Sequence, residues 1–291
     1  MNDYKENLLD VHRLSVSFES YDAKLEKVSF KAIADLSVTV DRGEILAIVG
    51  SSGSGKSLLA HAVMGILPGN ARTGGEIRYR GAPLTEEAKA RLRGREIAFI
   101  PQSVAFLDPL MRVGDQVRGT AGKRLLAQQR EAFAHFNLKP ETERLYPFQL
   151  SGGMARRVLL STARVGGAEL TIADEPTPGL DLEIALEALK DFRVMADSGK
   201  GVLLITHDID LALGVADKIA IFYDGRVVET AAVSSFSGDG SGLKHPYSRA
   251  LFRALPQNGF CLDHCPRCGL SGAMWAVDEK GMRCGCGDAR S

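Results

Sequence analysis

Residues 50–57 read Gly50-Ser51-Ser52-Gly53-Ser54-Gly55-Lys56-Ser57. The glycines let the backbone curl, so that successive N–H groups can point inward at one anion. A helix starting behind them adds the partial positive charge of its N-terminus. The spacing fits G-x-x-x-x-G-K-[ST], and an apolar run, Glu44–Val49, precedes it while helix formers, Ser57–Leu67, follow. In that setting Lys56 is expected to reach the β- and γ-phosphates of a nucleoside triphosphate, and the Ser57 hydroxyl to ligate Mg²⁺. A second chemical group is Leu170-Thr171-Ile172-Ala173-Asp174-Glu175, two carboxylates just past an apolar run. Ligands of open α/β sheets gather beyond the carboxyl ends of the strands. Asp174 is thereby expected in the Mg²⁺ sphere and Glu175 as general base for the attacking water. The same pair would suit an acidic N-cap of the next helix. The phosphate loop favours the metal reading, because a triphosphate needs a metal carboxylate.

Ser151-Gly152-Gly153, ahead of a helical run Met154–Ala163, forms a second anion cradle of backbone N–H groups. Ser151 lies 95 residues after Lys56. One triphosphate rarely needs two cradles, so this one is read as serving a nucleotide held by another copy or a partner. With Leu150-Ser151-Gly152-Gly153-Met154 the chain resembles the ATP-binding cassette (ABC) ATPases, whose signature motif this matches. The resemblance covers roughly residues 8–258. It implies two cassettes clasping two ATP molecules head to tail, each ATP between one phosphate loop and the other subunit's signature. It also implies roles for Gln102 (in Phe99-Ile100-Pro101-Gln102) as the Q-loop glutamine near Mg²⁺ and the water, and for His207 (in Ile205-Thr206-His207-Asp208) as the γ-phosphate sensor. Asp181 corresponds to the aspartate at the dimer seam. An aromatic near the N-terminus stacks on adenine in this family; Phe18 is the first choice and Tyr21 the second. Two departures stand out. Pro178-Gly179 replaces small or polar residues before Asp181, and Ala155-Arg156-Arg157 replaces a more common Arg-Gln-Arg. Neither removes a group that handles phosphate, so active hydrolysis is expected.

Tyr146-Pro147-Phe148-Gln149-Leu150, Leu107-Asp108-Pro109-Leu110-Met111-Arg112-Val113-Gly114 and His245-Pro246-Tyr247-Ser248-Arg249-Ala250-Leu251 narrow the resemblance. Together they are similar to the dipeptide, oligopeptide and nickel branch of bacterial importers. Lys56-Ser57-Leu58-Leu59-Ala60 with Gly65-Ile66-Leu67-Pro68 is closer to nickel-importer subunits than to peptide ones. The implied partners are two membrane permeases, a second related ATPase or a second copy of this chain, and, indirectly, an extracytoplasmic solute-binding protein. The implied location is peripheral, on the cytoplasmic face of the cell membrane. Phe106, Leu107 and Leu110 are candidates for a groove that grips a permease helix, or equally for subdomain core. The alternative function is a non-transport accessory ATPase of a phosphonate-degrading (carbon–phosphorus lyase) complex.

All five cysteines, Cys261, Cys265, Cys268, Cys284 and Cys286, lie in the last 31 residues. Clustered thiols in a cytosolic chain read as a metal site before a disulfide frame. Cys265-Pro266-Arg267-Cys268-Gly269 resembles a metal knuckle. Four or five thiolates without a clear histidine set suit a [4Fe–4S] cluster or Zn²⁺, and a reduced, unliganded tail is the remaining reading. Some peptide-branch ATPases carry such a cluster, although the spacing here only loosely matches theirs.

The elements that must hold these groups are legible in outline. Lys plus Arg and Asp plus Glu each number 36, so the formal charge is zero and no role in coating nucleic acid is indicated. No apolar run reaches the length that spans a bilayer, and Met1–Glu6 does not read as a secretory signal, so a cytosolic chain is expected. Leu14–Phe18 and Leu36–Val40 alternate like half-buried antiparallel strands. Ile45–Val49, Leu170–Ala173 and Val202–Ile205 are near-continuous apolar runs suited to a parallel sheet. Leu180–Ala196 is expected to be the helix between the last two, and Lys218–Glu229 a hairpin turning at Asp224-Gly225. The expected fold is an α/β P-loop NTPase cassette: a RecA-like parallel sheet core, an antiparallel β-subdomain and a helical signature subdomain, with a short Cys-rich C-terminal extension. The expected division is an ATPase domain over 8–234 (helical subdomain about 105–163), a branch-specific segment over 235–258 that opens on a Ser/Gly/Asp-rich linker, and the Cys-rich tail over 259–291.

Overall fold

Short-range pattern decides most of the strands. In the computed structural model, which describes residues 7–21, 27–51, 53–255, 275–278 and 281–284, β1 (Asn7–Tyr21) and β2 (Lys27–Asp41) are long antiparallel partners. Their alternating Leu14, Val16, Leu36, Val38 and Val40 are buried. The β1–β2 register shifts near Arg13, a non-glycine residue with φ of 51°. β3 (Ile45–Val49) is buried at every position and feeds the glycine loop. α1 (Lys56–Met64) stops at Gly65, whose φ of 65° places it in the left-handed region. The helix therefore ends a turn before the Pro68-Gly69 stop expected from sequence. β4 (Ala71–Tyr79), β5 (Ala82–Pro83), α2 (Glu86–Leu92) and β6 (Ile97–Ile100) follow.

The helix-rich stretch holds α3 (Val113–Arg118), α4 (Leu126–His135) and α5 (Gly152–Gly166). Then come β7 (Leu170–Asp174), α6 (Leu182–Asp197), β8 (Gly201–Thr206), α7 (Ile209–Val215), β9 (Lys218–Tyr223), β10 (Arg226–Ala232) and α8 (Pro246–Arg253). A separate backbone pairing joins β11 (Trp275–Asp278) to β12 (Gly281–Cys284).

The strand order of the large sheet is β5-β4-β1-β2-β10-β9-β3-β8-β7-β6. β9, β3, β8, β7 and β6 are parallel neighbours, whereas β5, β4, β1 and β2 pair antiparallel. A single parallel bridge, Arg226 to Asp35, joins the two halves through β10. The expected parallel core and antiparallel subdomain are thus both present. β7 and β8 are parallel neighbours joined by α6, as the strand–helix–strand order requires.

The central strands are buried on both faces, and their alternation builds two cores. Ile45, Ala47, Val49, Val202 and Leu204 join the cluster packed against α3 to α7. Leu46, Ile48, Leu203, Ile205 and Ile172 face the other cluster, with α1 and the antiparallel strands. Thr171, polar in an apolar run, is buried and its hydroxyl lies 3.7 Å from the Met195 sulfur.

The segment after β10 is tied to the core. Phe236, Leu243, Phe252 and Leu255 are buried in the helix-side cluster. Glu229 accepts the N–H groups of Lys244 and His245 at 2.7 and 3.0 Å, and Tyr223 stacks on Tyr247 with ring centres 4.1 Å apart. A stretch that reads as a linker from composition is therefore pinned at both ends.

Candidate ATP site

The glycine loop takes its shape from backbone conformations that only glycine adopts without strain. Gly53 and Gly55 have φ of 73° and 101°. Gly50 is needed for a different reason, since a Cβ there would lie 2.3 Å from the Phe222 carbonyl oxygen. The loop crosses this close to β9. Lys56, the first residue of α1, is buried, and its Nζ donates to the carbonyls of Gly50 and Ser51, both at 2.8 Å. Burial lowers the ammonium's proton affinity, and the charges of Glu175 and Asp174 oppose that shift. The Ser54 hydroxyl is buried without a hydrogen-bond partner. A buried polar atom left over inside an anion-shaped loop fits a ligand that supplies acceptors, as phosphate does. Ser52 lies outside the described residues.

The carboxylate pair ends β7. Asp174 is 1% exposed, and its Oδ1 accepts the Ser57 hydroxyl at 3.1 Å. Burial pushes the Asp174 carboxyl up to about 6, with the Ser57 hydrogen bond pulling the other way. A hydroxyl and a buried carboxylate side by side are hard oxygen donors suited to Mg²⁺, and a divalent cation would offset the burial. These two residues are the ones that would hold the metal.

Glu175 turns away from the strand with φ of 47°, rare for a residue with a side chain. Its N–H donates to the Ile205 carbonyl at 2.8 Å, which fastens the kink to β8. The kinked carboxylate lies 2.8 Å from Nδ1 of His207 and 3.5 Å from the Thr206 hydroxyl. Glu175 is buried, whereas 54% of the His207 side chain is exposed. The arrangement is a buried acid at a strand end with an exposed imidazole over it. It can orient a water beside a phosphate and pass a proton outward. Thr206, whose hydroxyl also accepts the Asp208 N–H at 3.0 Å, is a bracing residue that sequence reasoning quoted without assigning a role.

Gln102 is exposed just past β6. Its neighbour Pro101 is held from a distance, because the carbonyl accepts Arg156 Nη1 at 3.1 Å. Ser151 caps α5, its hydroxyl accepting the Met154 N–H at 3.3 Å. A Cβ added at Gly152 would meet nothing within 4 Å, so the turn presents an open backbone face. Asp181 caps α6 through the Ile184 N–H at 3.0 Å and accepts Arg157 Nη2 at 2.7 Å. The capping hydrogen bond first, and then Arg157, holds its carboxyl below the usual range. The Pro178-Gly179 departure is accommodated by Gly179 at φ of 78°.

Two aromatic rings share the N-terminal strand pair. Phe18 pairs across the strands with Phe30 and packs, half-buried, against the core. Phe30 is 68% exposed. Residues directly opposed in an antiparallel pair share a sheet face, so the exposed ring stands beside Phe18. Phe30 was missed by sequence reasoning, which had no signal for which of two paired rings stays uncovered. Tyr21 ends β1, but its side chain lies outside the described residues, as do Cys261, Cys265, Cys268 and Cys286. Cys284 is described only as backbone in β12.

Comparison with known proteins agrees with this geometry. The family model described as ABC transporter matches residues 33–178. The oligopeptide transport ATP-binding protein OppD of Lactococcus lactis subsp. cremoris (strain SK11) is 36% identical over 266 residues, covering 86% of this chain and 76% of that protein. OppD of Bacillus subtilis (strain 168) is 35% identical, covering 86% and 72%. The glutathione import ATP-binding protein GsiA of Salmonella paratyphi A is 33% identical, over 89% of this chain and 44% of that protein. A solved structure of the ATP-binding subunit of an ABC transporter superposes with a TM-score of 0.65 at 26% identity, covering 79% of this chain and 91% of that one. By sequence and by fold, the chain belongs to the ABC transporter family, as one of its ATP-binding cassettes.

Proposed function

We propose that the chain is the ATP-hydrolysing motor subunit of an importer of the peptide branch, driving uptake through partner permeases. The Glu175–His207 pair carries the reading. A strained backbone holds a buried carboxylate 2.8 Å from an exposed imidazole, beside a phosphate loop. Relatives named for oligopeptide transport and glutathione import support a peptide cargo over nickel chelates. They also favour an importer over the accessory ATPase of a phosphonate-degrading complex.

In this reading Gly50–Ser57 cradles the triphosphate, and Lys56 leaves its loop carbonyls for the β- and γ-phosphates. Mg²⁺, when bound, neutralises charge developing on the phosphate oxygens. Ser57, Asp174 and Gln102 would hold it. Glu175 takes the proton of the attacking water, and His207 orients that carboxylate and reads the γ-phosphate. Phe30, the exposed ring opposite half-buried Phe18, stacks on adenine in this reading, with Phe18 as the alternative. Ser151, Gly152 and Gly153 face the ATP of a second cassette, with Asp181 at the seam. Adding those N–H contacts only while the γ-phosphate is present makes ATP binding close the pair and hydrolysis reopen it.

A cavity of about 600 Å³ lies between the core and the helical region, lined by Phe99, Phe106, Leu107, Val117, Leu125 and Leu159 among others. Phe106 is 51% and Leu110 87% exposed, while Leu107 is buried. The first two suit a docking lip for a permease segment, and Leu107 serves as core. No helix among the described residues is long and apolar enough to cross a membrane. The proposed place is peripheral, on the cytoplasmic face with permeases as the membrane anchor, a reading supported by the relatives named for import. The cysteine tail is proposed to bind a [4Fe–4S] cluster or Zn²⁺. Anaerobic purification with iron, sulfide and zinc analysis tells these apart, and absence of all three sinks the site.

The deciding experiment is co-purification with two permeases and the companion ATPase. ATPase activity is then assayed with binding protein loaded with candidate peptides or nickel chelates. Peptide-stimulated hydrolysis is expected. A complex that neither forms nor hydrolyses ATP would refute the function.

A further inference from the structure

We infer that Arg156 is a positioning residue for the Q-loop, tying the Pro101 carbonyl to the helix that carries the Ser-Gly-Gly turn. It thereby couples the two phosphate-handling ends of one chain. The inference deepens the function proposed above and rests on it.

Arg156 sits little more than one turn into α5, whose cap is Ser151. Its Nη1 donates to the carbonyl of Pro101, which is buried and directly precedes Gln102. The two residues are 55 positions apart in sequence, so this hydrogen bond bridges separate parts of the fold. The guanidinium is itself half-buried. Burial lowers its proton affinity, and the charges of Asp174 and Glu175 act to keep it charged. A cation withdrawn from water persists only when paired and hydrogen-bonded. Here the Pro101 carbonyl supplies the hydrogen bond, and the two carboxylates act only through their field, without an ion pair to Arg156.

The next residue points elsewhere, since Arg157 Nη2 bonds Asp181 at 2.7 Å. Consecutive arginines therefore fasten α5 to the Q-loop on one side and to the turn before α6 on the other. Gly153 also approaches that turn, its added Cβ lying 3.7 Å from the Gly179 carbonyl oxygen. A shift of the Ser151–Gly153 turn is passed to Pro101 through a hydrogen bond, not only through flexible chain. At position 156 this sequence has arginine where the family pattern more commonly has glutamine. Glutamine can donate the same hydrogen bond but brings no charge to the carboxylate pair.

The test uses the assembled transporter complex with Arg156→Met, Arg156→Gln and Arg156→Lys. Three quantities are measured: kcat for ATP, equilibrium binding of a fluorescent ATP analogue, and backbone hydrogen exchange over residues 102–106. Arg156→Met is expected to lower kcat about tenfold or more, equivalent to about 1.4 kcal/mol. Analogue binding should stay within about twofold, and exchange over 102–106 should rise about fivefold. Arg156→Lys should recover part of both losses. Wild-type kcat in Arg156→Met, unchanged exchange over 102–106, or an equal loss of nucleotide binding would each overturn the inference. If Arg156→Met does not fold, the lysine and glutamine variants decide by the same readouts. A wild-type complex without ATPase activity would instead refute the proposed function, and the exchange measurement, which needs no hydrolysis, would still decide on Arg156.

Discussion

Replacing Glu175 by glutamine isolates one atom's chemistry in an otherwise preserved site. Glutamine has nearly the same volume, so the buried position gains no cavity. It keeps a carbonyl oxygen that can accept from the His207 ring, 2.8 Å away in the wild type, and the Ile205 backbone bond that fixes the kink is untouched. The φ of 47° is as strained for glutamine as for glutamate. The structural loss is the difference between a charge-assisted and a neutral hydrogen bond, about 1 kcal/mol. The kinetic loss is the general base itself, about 10²–10⁴-fold in kcat, which corresponds to about 3–5 kcal/mol of barrier. The two terms differ enough to separate. Phosphate release by the assembled complex should collapse while ATP affinity stays near wild type. Nucleotide should then co-elute with a closed cassette pair on gel filtration. Hydrolysis by Glu175→Gln within about threefold of wild type would remove Glu175 as the base, since no positioned general base contributes so little.

Other perturbations test other links. Gly50→Ala puts a Cβ 2.3 Å from the Phe222 carbonyl oxygen, a backbone atom in a central strand. Unfolding should become easier by about 3 kcal/mol or more, and an unchanged melting temperature would refute the close approach. Phe30→Ala should weaken ATP binding about tenfold through lost base stacking. Phe18→Ala should mainly lower the melting temperature, and the reverse pattern would return the adenine to Phe18. Phe106→Asp should abolish co-purification with the permeases while sparing nucleotide binding, and intact transport would rule out the docking lip. Asp191 in α6 accepts Arg164 Nη1 at 2.7 Å, joining α6 to α5, while its other oxygen lies 3.1 Å from His135 Nε2 without a hydrogen bond. With Arg164 partly exposed, Asp191→Ala should destabilise by about 1–2 kcal/mol, and denaturant unfolding at neutral pH measures it.

The chemistry that depends on consecutive residues was legible before any coordinates. A glycine loop between an apolar run and a helix encloses an anion because backbone conformation is local, and Gly50–Ser57 needs nothing distant to announce it. Asp174 and Glu175 were equally visible, because a carboxylate after an apolar run ends a strand. Buried strands such as Ile45–Val49 announced themselves by composition. β4, β6, α7 and α8 did not, because short or mixed segments gain their order from neighbours more than from pattern.

What tertiary structure alone decided are the partnerships between residues far apart in the chain. Ser57 meets Asp174 across 117 positions, His207 meets Glu175 across 32, and Arg156 meets Pro101 across 55. Burial is likewise a property of the whole fold. It separates Leu107 in the core from exposed Phe106, leaves Phe30 open beside half-buried Phe18, and fastens a linker-like stretch through Phe236 and Leu243. Local conformational preference is carried by each residue and its neighbours, so it can be read in one dimension. Contact and desolvation arise only when the sheet brings separate strand ends together, so they cannot.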